Sequence, residues 1–244
     1  MKMNRNNTAI IIPARLKSTR LPNKPLADIA GMPMIVRTAL NCKAANVDFP
    51  IFVATDSQII LDVCKSEKID CLLTSDENLT GTDRVTEAAK VLGLDFVINL
   101  QGDEPIFPKA DILKFIDAVK LNPNKVHGAF CEITDKSQLE KRSIPKVVFD
   151  QQYNLLYASR APIPFGNNTN FTKAHRQVCI YSFPVLELEN FFSEKQKTPL
   201  EALEDIEFLR FIEKGIKVQL VQLSNGSVAV DTAEDLDKVR LLLQ

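Results

Sequence analysis

The sequence is poor in the residues on which several common kinds of site depend. It has two histidines and three tyrosines in 244 residues. His127 and His175 make neither a zinc site nor a catalytic triad, and His127 lies in an apolar run that is typical of a structural residue. Three tyrosines are too few for an aromatic nucleic-acid platform. No G-x-S-x-G, Walker or G-x-G-x-x-G motif is present.

An excess of one charge and long hydrophobic runs are also missing. The formal net charge is −1, which removes the general electrostatic argument for nucleic acid or an anionic membrane as the main partner. The apolar run at 9–12 ends before Pro13, far short of the roughly 20 residues of a membrane span. The five cysteines form no C-x-x-C pair and mostly lie in apolar runs. We therefore expect buried thiols in a reducing cytoplasm.

What remains is the composition of an ordinary globular protein, in which short apolar runs alternate with helical patterns. Residues 51–54 precede a helical pattern at 59–64, and residues 96–100 precede one at 109–120. Strands that are apolar on both faces, with helices between them, are typical of a parallel sheet covered on both sides. The sequence predicts an α/β fold with a doubly wound, mostly parallel sheet.

The alternation loosens after about residue 120, which predicts a smaller mixed lobe. Asp56 is a plausible N-cap of the helix that follows the strand at 51–54. The motif T-P-L-E at 198–201 predicts the start of a helix that continues to about Lys214. We expect one domain over 1–244, divided into segments at about 1–120, 121–216 and 217–244, the last of which returns to the main sheet.

A basic loop follows the first predicted strand. It contains four cations within ten residues and three prolines that limit its freedom; the cations are Arg15, Lys17, Arg20 and Lys24. Ligands of open α/β sheets bind beyond the carboxyl ends of the strands. Charge-assisted hydrogen bonds from Arg and Lys contribute about 1.5–3 kcal/mol each. The loop predicts a phosphate site, and a solvated basic turn is the alternative.

An acidic turn, Q-G-D-E-P at 101–105, follows the strand predicted at 96–100. Its glycine permits close backbone approach, and one or two carboxylates with substrate phosphates are usual ligands of Mg²⁺. Asp103 is the better candidate ligand, and Asp231, at the end of another apolar run, could complete the site. The alternative is a helix-entry acidic turn.

Arg84 opens a helix beside small hydroxyl residues, which suits a ribose or base, although a plain N-cap explains this segment equally well.

Nine short motifs follow one another along the chain: I-P-A-R at 12–15, S-T-R-L-P at 18–22, K-P-L at 24–26, G-M-P-M-I at 31–35, V-A-T-D at 53–56, G-T-D-R at 81–84, Q-G-D-E-P at 101–105, S-R-A-P-I-P at 159–164 and V-D-T at 230–232. The same motifs occur in the same order in CMP-Kdo synthetases, the cytidylyltransferases that activate 3-deoxy-manno-octulosonate (Kdo) for lipopolysaccharide. The chain resembles this family over nearly its whole length, and the combination is specific although each motif alone is weak.

The resemblance implies a GT-A-like nucleotidyltransferase fold and a homodimer; composition has already indicated the cytoplasm and no nucleic-acid or membrane partner. It implies Mg²⁺-dependent transfer of CMP from CTP to the anomeric 2-hydroxyl of the sugar, with release of pyrophosphate. Residues 1–120 would bind CTP, and residues 121–216 would bind the sugar and form the dimer.

The resemblance also implies a role for each residue that matches a family motif. The catalytic residues would be Arg15, Lys24 and Asp103, and the triphosphate would be held by Arg15, Ser18, Arg20 and Lys24. The nucleotide would also be faced by Arg84, Gln101 and Asp103, and Mg²⁺ would be bound by Asp103 and Asp231. The residues facing the sugar would be Gln101, Arg160, Gln177, Tyr181, Glu207 and Phe208.

Three departures from the family pattern fall in the sugar-binding motifs. Gln177 replaces the usual histidine, Phe208 replaces a glutamine, and F-G-N at 165–167 replaces Trp-Asp-Arg, which removes a cation. A pocket without these partners should reject an acceptor that relied on them. A modified acceptor is therefore one hypothesis, and neutral drift is the other.

The 8-amino analogue of Kdo (Kdo8N) is a candidate for a modified acceptor. Its ammonium group could meet a carboxylate near Glu207, and three acids lie close by on what the sequence predicts to be the same helix: Glu201, Glu204 and Asp205.

Three other functions stay open. The first is a nucleotidyltransferase for another acidic or phosphorylated acceptor, such as sialic acid or methylerythritol phosphate, which the order of motifs disfavours. The second is a GT-A type glycosyltransferase, which would release a nucleotide instead of pyrophosphate. The third is a non-catalytic nucleotide-binding protein.

The Asn- and Thr-rich loop at 166–172 is expected to be mobile.

Overall fold

The apolar runs form a nine-stranded central sheet in a computed structural model that describes residues 2–18, 21–166, 173–192 and 196–244. Arg20 and positions 167–172 of the loop expected to be mobile lie outside the described residues. In the described ranges, no helix is long and apolar enough to span a membrane.

Strands and helices alternate along the described part of the chain. The strands are β1 (Thr8–Ala14), β2 (Asp28–Ile29), β3 (Met32–Pro33), β4 (Ile51–Thr55), β5 (Cys71–Leu73), β6 (Phe96–Leu100), β7 (Val126–Ile133), β8 (Lys146–Phe149), β9 (Leu155–Ser159), β10 (Ala174–Pro184) and β11 (Val218–Gln222). The helices are α1 (Met34–Lys43), α2 (Gln58–Ser66), α3 (Gly81–Val91), α4 (Lys109–Leu121), α5 (Lys136–Glu140), α6 (Val185–Phe192), α7 (Pro199–Glu204), α8 (Phe208–Glu213) and α9 (Ala233–Leu242).

The main path of the sheet has the order β11-β7-β10-β6-β1-β4-β5. Six of these seven strands run in one direction, and β10 alone runs against them, between β6 and β7. Strand β10 extends beyond β6 and also pairs with β8, which pairs with β9. The predicted mostly parallel sheet is therefore confirmed, and β8 to β10 continue it into the second segment of the chain.

Helices cover both faces of the sheet. Ile10 and Ile12 of β1 pack with apolar residues of α1, α2 and α4 on one face. Ala9 and Ile11 point the other way and pack with α3, α6 and α8. The residues of β1 alternate between two buried faces, as expected for a doubly wound sheet.

The carboxyl ends of four neighbouring parallel strands meet at one edge of the sheet. The basic loop follows β1, Asp56 follows β4, Thr74 follows β5, and the acidic turn at 101–105 follows β6. This arrangement brings segments that are far apart in sequence to the edge where ligands of such sheets bind.

Two predicted helix features are wrong. Ser57 caps α2 by accepting a hydrogen bond from the Ile60 N–H, and Asp56 instead faces Arg84. The helix expected from 199 to about 214 is two short helices, because Asp205 adopts a left-handed backbone conformation, with φ of 53°. Glu207 therefore does not share a helix with Glu201 and Glu204.

The histidine and cysteine side chains agree with structural roles. His127 is buried, its Nδ1 lies 3.0 Å from the Lys125 carbonyl oxygen, and burial lowers its pKa to about 4. All five cysteines are free thiols; three are buried, whereas Cys71 and Cys179 are partly exposed. The expectation of buried thiols is met fully for Cys42, Cys64 and Cys131, and partly for Cys71 and Cys179.

Candidate active site

A cavity of about 280 Å³ lies at the carboxyl edge of the parallel strands, bounded by the basic loop, the acidic turn and the segment around α7. Eight of the residues assigned from the sequence line it: Arg15, Ser18, Lys24, Arg84, Gln101, Asp103, Glu207 and Asp231. Four others, Arg160, Gln177, Tyr181 and Phe208, do not line it, and Arg20 lies outside the described residues.

The ammonium group of Lys24 lies between the two predicted metal-binding carboxylates. Its Nζ is 2.6 Å from Oδ2 of Asp103 and 3.3 Å from Oδ1 of Asp231, and it donates to the Val230 carbonyl oxygen at 2.9 Å. Burial lowers the pKa of Lys24, but the two carboxylates outweigh burial, so its pKa lies above its usual value. Two acids from distant segments thus converge on one positive charge.

Backbone contacts hold the acidic turn in place. The Val230 N–H donates to the Asp103 carbonyl oxygen at 2.9 Å, which joins the two acidic segments. A Cβ at Gly102 would lie 2.6 Å from the Pro13 carbonyl oxygen at the end of β1. A glycine is therefore needed at this position, because any side chain would push the acidic turn away from the end of β1.

The donor set fits Mg²⁺, which commonly takes one or two carboxylates and completes its shell with substrate phosphates and water. Asp103 faces the cavity, whereas Glu104 is buried. Burial and the neighbouring Asp103 carboxylate raise the pKa of Glu104 to about 8. In the described ranges, no three His, Cys, Asp or Glu side chains form a group that could hold a metal ion. A metal at Asp103 and Asp231 would therefore depend on the substrate for further ligands.

Arg84 lies at the cavity with its guanidinium already engaged. Nη2 donates to Oδ2 of Asp56 at 2.8 Å and Nη1 donates to the Thr74 hydroxyl. The side chain is almost fully buried. Arg84 thus joins the ends of β4 and β5 to the first turn of α3 and shapes the cavity wall.

Glu207 faces the cavity and also caps α3. Its carboxylate accepts hydrogen bonds from the backbone N–H groups of Gly81 at 3.2 Å and Thr82 at 3.0 Å. These N–H groups belong to the first turn of a helix, where a negative charge is favoured. Burial raises the pKa of Glu207. One carboxylate therefore connects α3 to the turn before α8.

Three of the predicted sugar residues that do not line the cavity contact one another. Gln177 Nε2 donates to the Tyr181 hydroxyl at 2.8 Å. The rings of Tyr181 and Phe208 meet edge to face, with centroids 4.9 Å apart. Phe208 is buried and fills the space above Gly128, where a Cβ would overlap the ring. Two of the three departures from the family pattern therefore belong to a packed cluster.

Arg160 supports the turn between α7 and α8. Its guanidinium donates to the carbonyl oxygens of Glu204 at 2.6 Å, Asp205 at 2.9 Å and Arg142 at 3.2 Å. Its backbone N–H donates to the Glu204 carboxylate at 2.8 Å. This cation therefore fixes the backbone of Asp205.

Sequence reasoning missed other residues of the wall. Lys197 and Asn78 line the cavity, but neither belongs to a motif with a recognisable pattern. Arg210, buried behind the wall, bonds Glu201 with two nitrogens and Asp83 with a third. A lone arginine in a helical pattern carries no signal for such a pairing.

Comparisons with known proteins give matches over most of the chain. A family model described as Cytidylyltransferase matches residues 9–218. The 3-deoxy-manno-octulosonate cytidylyltransferase of Francisella tularensis subsp. tularensis is 41% identical over 247 residues, which cover 97% of this chain and 98% of the relative. The protein of the same name from Chloroherpeton thalassium is 38% identical over 240 residues, 96% of each chain.

Solved structures with a similar fold also match over nearly the whole chain. The structure of CMP:2-keto-3-deoxy-manno-octonic acid synthetase complexed with CTP has a TM-score of 0.89 at 31% identity and covers 97% of this chain and 98% of that chain. A 4-diphosphocytidyl-2C-methyl-D-erythritol synthase from Anaerococcus prevotii has a TM-score of 0.64 at 18% identity, covering 98% and 96% of the chains, and shares the fold alone.

Proposed function

The chain belongs to the 3-deoxy-manno-octulosonate cytidylyltransferases, within the cytidylyltransferase family, and we propose that it transfers CMP from CTP to the anomeric 2-hydroxyl of Kdo. The observation that carries the proposal is the position of Lys24 Nζ, 2.6 Å from Asp103 and 3.3 Å from Asp231, in the cavity that Arg15 also lines. A cationic loop facing two carboxylates suits a nucleoside triphosphate with its metal ion.

The basic loop binds the triphosphate in this proposal. Arg15 and Ser18 line the cavity beside Lys24, and the family pattern adds Arg20. The sugar hydroxyl oxygen attacks the α-phosphorus and loses its proton to solvent, a new P–O bond forms, and the bond to the bridging oxygen of the β-phosphate breaks, so that pyrophosphate leaves. Enzymes of this kind act mainly by positioning and by neutralising charge. Arg15 and Lys24 supply positive charge to the leaving pyrophosphate.

The carboxylates of Asp103 and Asp231 would hold Mg²⁺, which when bound would neutralise charge on the phosphates. The same two carboxylates hold the Lys24 ammonium in place. Asp103 sits on a turn fixed by the close approach of Gly102 to Pro13. This contact sets the spacing between the Asp103 turn and the end of β1.

The sugar would lie against Gln101 and Glu207, on the side of the cavity toward α7. The carboxylates offered as partners for an 8-amino group already have partners. Glu201 is paired with Arg210, Glu204 accepts from Ser159 and Arg160, and Asp205 is paired with Lys197. This supports Kdo as the acceptor. The second candidate is Kdo8N, which the departures at 165–167, 177 and 208 favour.

The test is pyrophosphate release by the purified protein with CTP and Mg²⁺, run side by side with Kdo and Kdo8N. We expect rapid release with Kdo and a lower kcat/KM with Kdo8N. A large preference for Kdo8N would make the three departures specificity determinants; the double variant Gln177→His, Phe208→Gln should then regain preference for Kdo. Activity with neither sugar would contradict the proposed function.

We propose a homodimer for the same protein, formed by the segment at 121–216. Exposed apolar side chains in this segment, such as Leu156 and Leu203, support the proposal. Light scattering should give twice the chain mass of 27.3 kDa. A mass of one chain at micromolar concentration would contradict it.

A further inference from the structure

The cations that line the cavity differ in how they are paired. In the part of the chain that the structure describes, four positively charged residues line the cavity: Arg15, Lys24, Arg84 and Lys197. Lys24 is held by Asp103 and Asp231, and Arg84 by Asp56 and Thr74. Arg15 lies on the proposed triphosphate loop. Among the lining cations in the described ranges, Lys197 is the one that lies just before α7.

Lys197 precedes the N-terminus of α7 and is held by one carboxylate in the described part of the chain. Its Nζ lies 2.5 Å from Oδ1 of Asp205. The Lys197 side chain is 31% exposed and that of Asp205 is 68% exposed. An ammonium group has three N–H donors, so the contact with Asp205 leaves room for a second acceptor from the cavity.

Asp205 is itself held in place by Arg160. It adopts φ of 53° between α7 and α8. Arg160 donates to its carbonyl oxygen at 2.9 Å and lies 3.7 Å from its carboxylate. The guanidinium that the sequence placed on the sugar therefore supports the turn, and the turn presents Lys197 to the cavity.

We propose that Lys197 binds the carboxylate of the acidic sugar, and that Asp205 is the positioning residue that holds Lys197. This inference rests on the proposed function, since it assumes that an α-keto acid sugar enters the cavity. The sugar must approach with its own negative charge next to a triphosphate, and the acids on the α7 side would repel it. A cation at this wall offsets that repulsion and orients the anomeric carbon toward the triphosphate.

The test compares Lys197→Met, which keeps the length of the side chain and removes its charge, with Lys197→Arg. Loss of a charge-assisted hydrogen bond should raise KM for Kdo about tenfold to a hundredfold, with KM for CTP and kcat within about twofold. Lys197→Arg should keep KM for Kdo within about fivefold. Asp205→Asn should raise KM for Kdo by less than Lys197→Met does.

A matched control is Lys90→Met, which removes an exposed lysine whose Nζ lies 3.5 Å from Glu189. Lys90 lies in the last turn of α3, at the end away from the cavity. This variant should change neither KM.

A second measurement separates a carboxylate contact from a general structural role. The amide of Kdo, which lacks the negative charge, is used as a competitive inhibitor. The wild type should bind Kdo at least tenfold more tightly than the amide, and Lys197→Met should lose this discrimination. An unchanged KM for Kdo in an active Lys197→Met protein, a raised KM for CTP alone, or unchanged acid-over-amide discrimination would each overturn the proposal. If the wild type itself releases no pyrophosphate with Kdo, the proposed function fails instead.

Discussion

At the scale of single residues, the strongest test of the site is Asp103→Asn. The substitution keeps the shape of the side chain and removes the charge that faces Lys24 and the proposed metal ion. Loss of one such electrostatic group should lower kcat by about 10²–10³. The free energy of unfolding should change by about 1 kcal/mol or less, because the Lys24–Asp103 pair is partly exposed to solvent and Lys24 keeps Asp231. Pyrophosphate release and thermal unfolding measure the two effects.

Asp237→Asn is the matched control for this prediction. Asp237 pairs with Arg240 at 3.0 Å on the exposed face of α9, so kcat should stay at the wild-type value. Near-normal kcat in Asp103→Asn over a range of Mg²⁺ concentrations would mean that the Asp103 carboxylate is structural.

Residue-scale prediction from the sequence succeeded where a short motif ends a strand. Asp103 follows β6 directly, so its place at the carboxyl edge follows from local pattern and strand direction. The partners of a side chain are a different matter. Glu207 caps Gly81 and Thr82, which lie 126 and 125 positions earlier in the chain. Asp56 faces Arg84, which lies 28 positions later. Such pairs depend on how elements pack, which no local pattern contains.

At the scale of elements, the sequence predicted strand existence well and helix interruption poorly. The limits of β6 agree with the run predicted at 96–100, because an apolar run bounded by polar residues has few alternatives. The break at Asp205 was missed, since the segment 199–214 keeps a helical pattern through the break. The two helices are turned there by the contacts of Arg160 with the backbone of Glu204 and Asp205.

The contact between β7 and α8 gives an element-scale prediction. Gly128→Ala places a methyl group in the space occupied by the ring of Phe208, which is buried against Tyr181. Overpacking of this kind costs about 1–3 kcal/mol. Urea unfolding should show this loss. In the background of Phe208→Leu, which removes the clashing ring atoms, Gly128→Ala should cost at least about 1 kcal/mol less, since residues in contact couple.

Phe208→Leu alone is the reference for that comparison and should lose about 1 kcal/mol through its smaller side chain. Equal costs of Gly128→Ala in the two backgrounds would show that the strand moves instead, and that Phe208 does not set the spacing between β7 and α8.

At the scale of the whole molecule, one sheet and one buried arginine join the segments of the chain. Strand β10 pairs with β6 of the first segment and with β7 and β8 of the second. Arg210 lies fully buried in α8, with Nη1 3.0 Å from Asp83 of α3 and with Glu201 of α7 as its second partner. It also lies 3.8 Å from the ring centroid of Phe191 in α6. The division into CTP-binding and sugar-binding segments is therefore a division of roles that we propose within one cooperative unit.

Removal of this arginine should weaken the whole molecule at once. Arg210→Met leaves the buried carboxylates of Asp83 and Glu201 without their cation, which costs about 3–5 kcal/mol. Because the sheet is continuous, the loss should shift one transition instead of creating two. Tyrosine fluorescence reports on residues 153–181, and labelling of the buried thiol of Cys42 reports on the first segment. Both probes should give the same urea midpoint in the wild type and the same lowered midpoint in Arg210→Met.

Arg240→Met, which removes an exposed pair with Asp237, should leave both midpoints in place. Separate midpoints for the two probes would mean that the two segments unfold independently and are two domains.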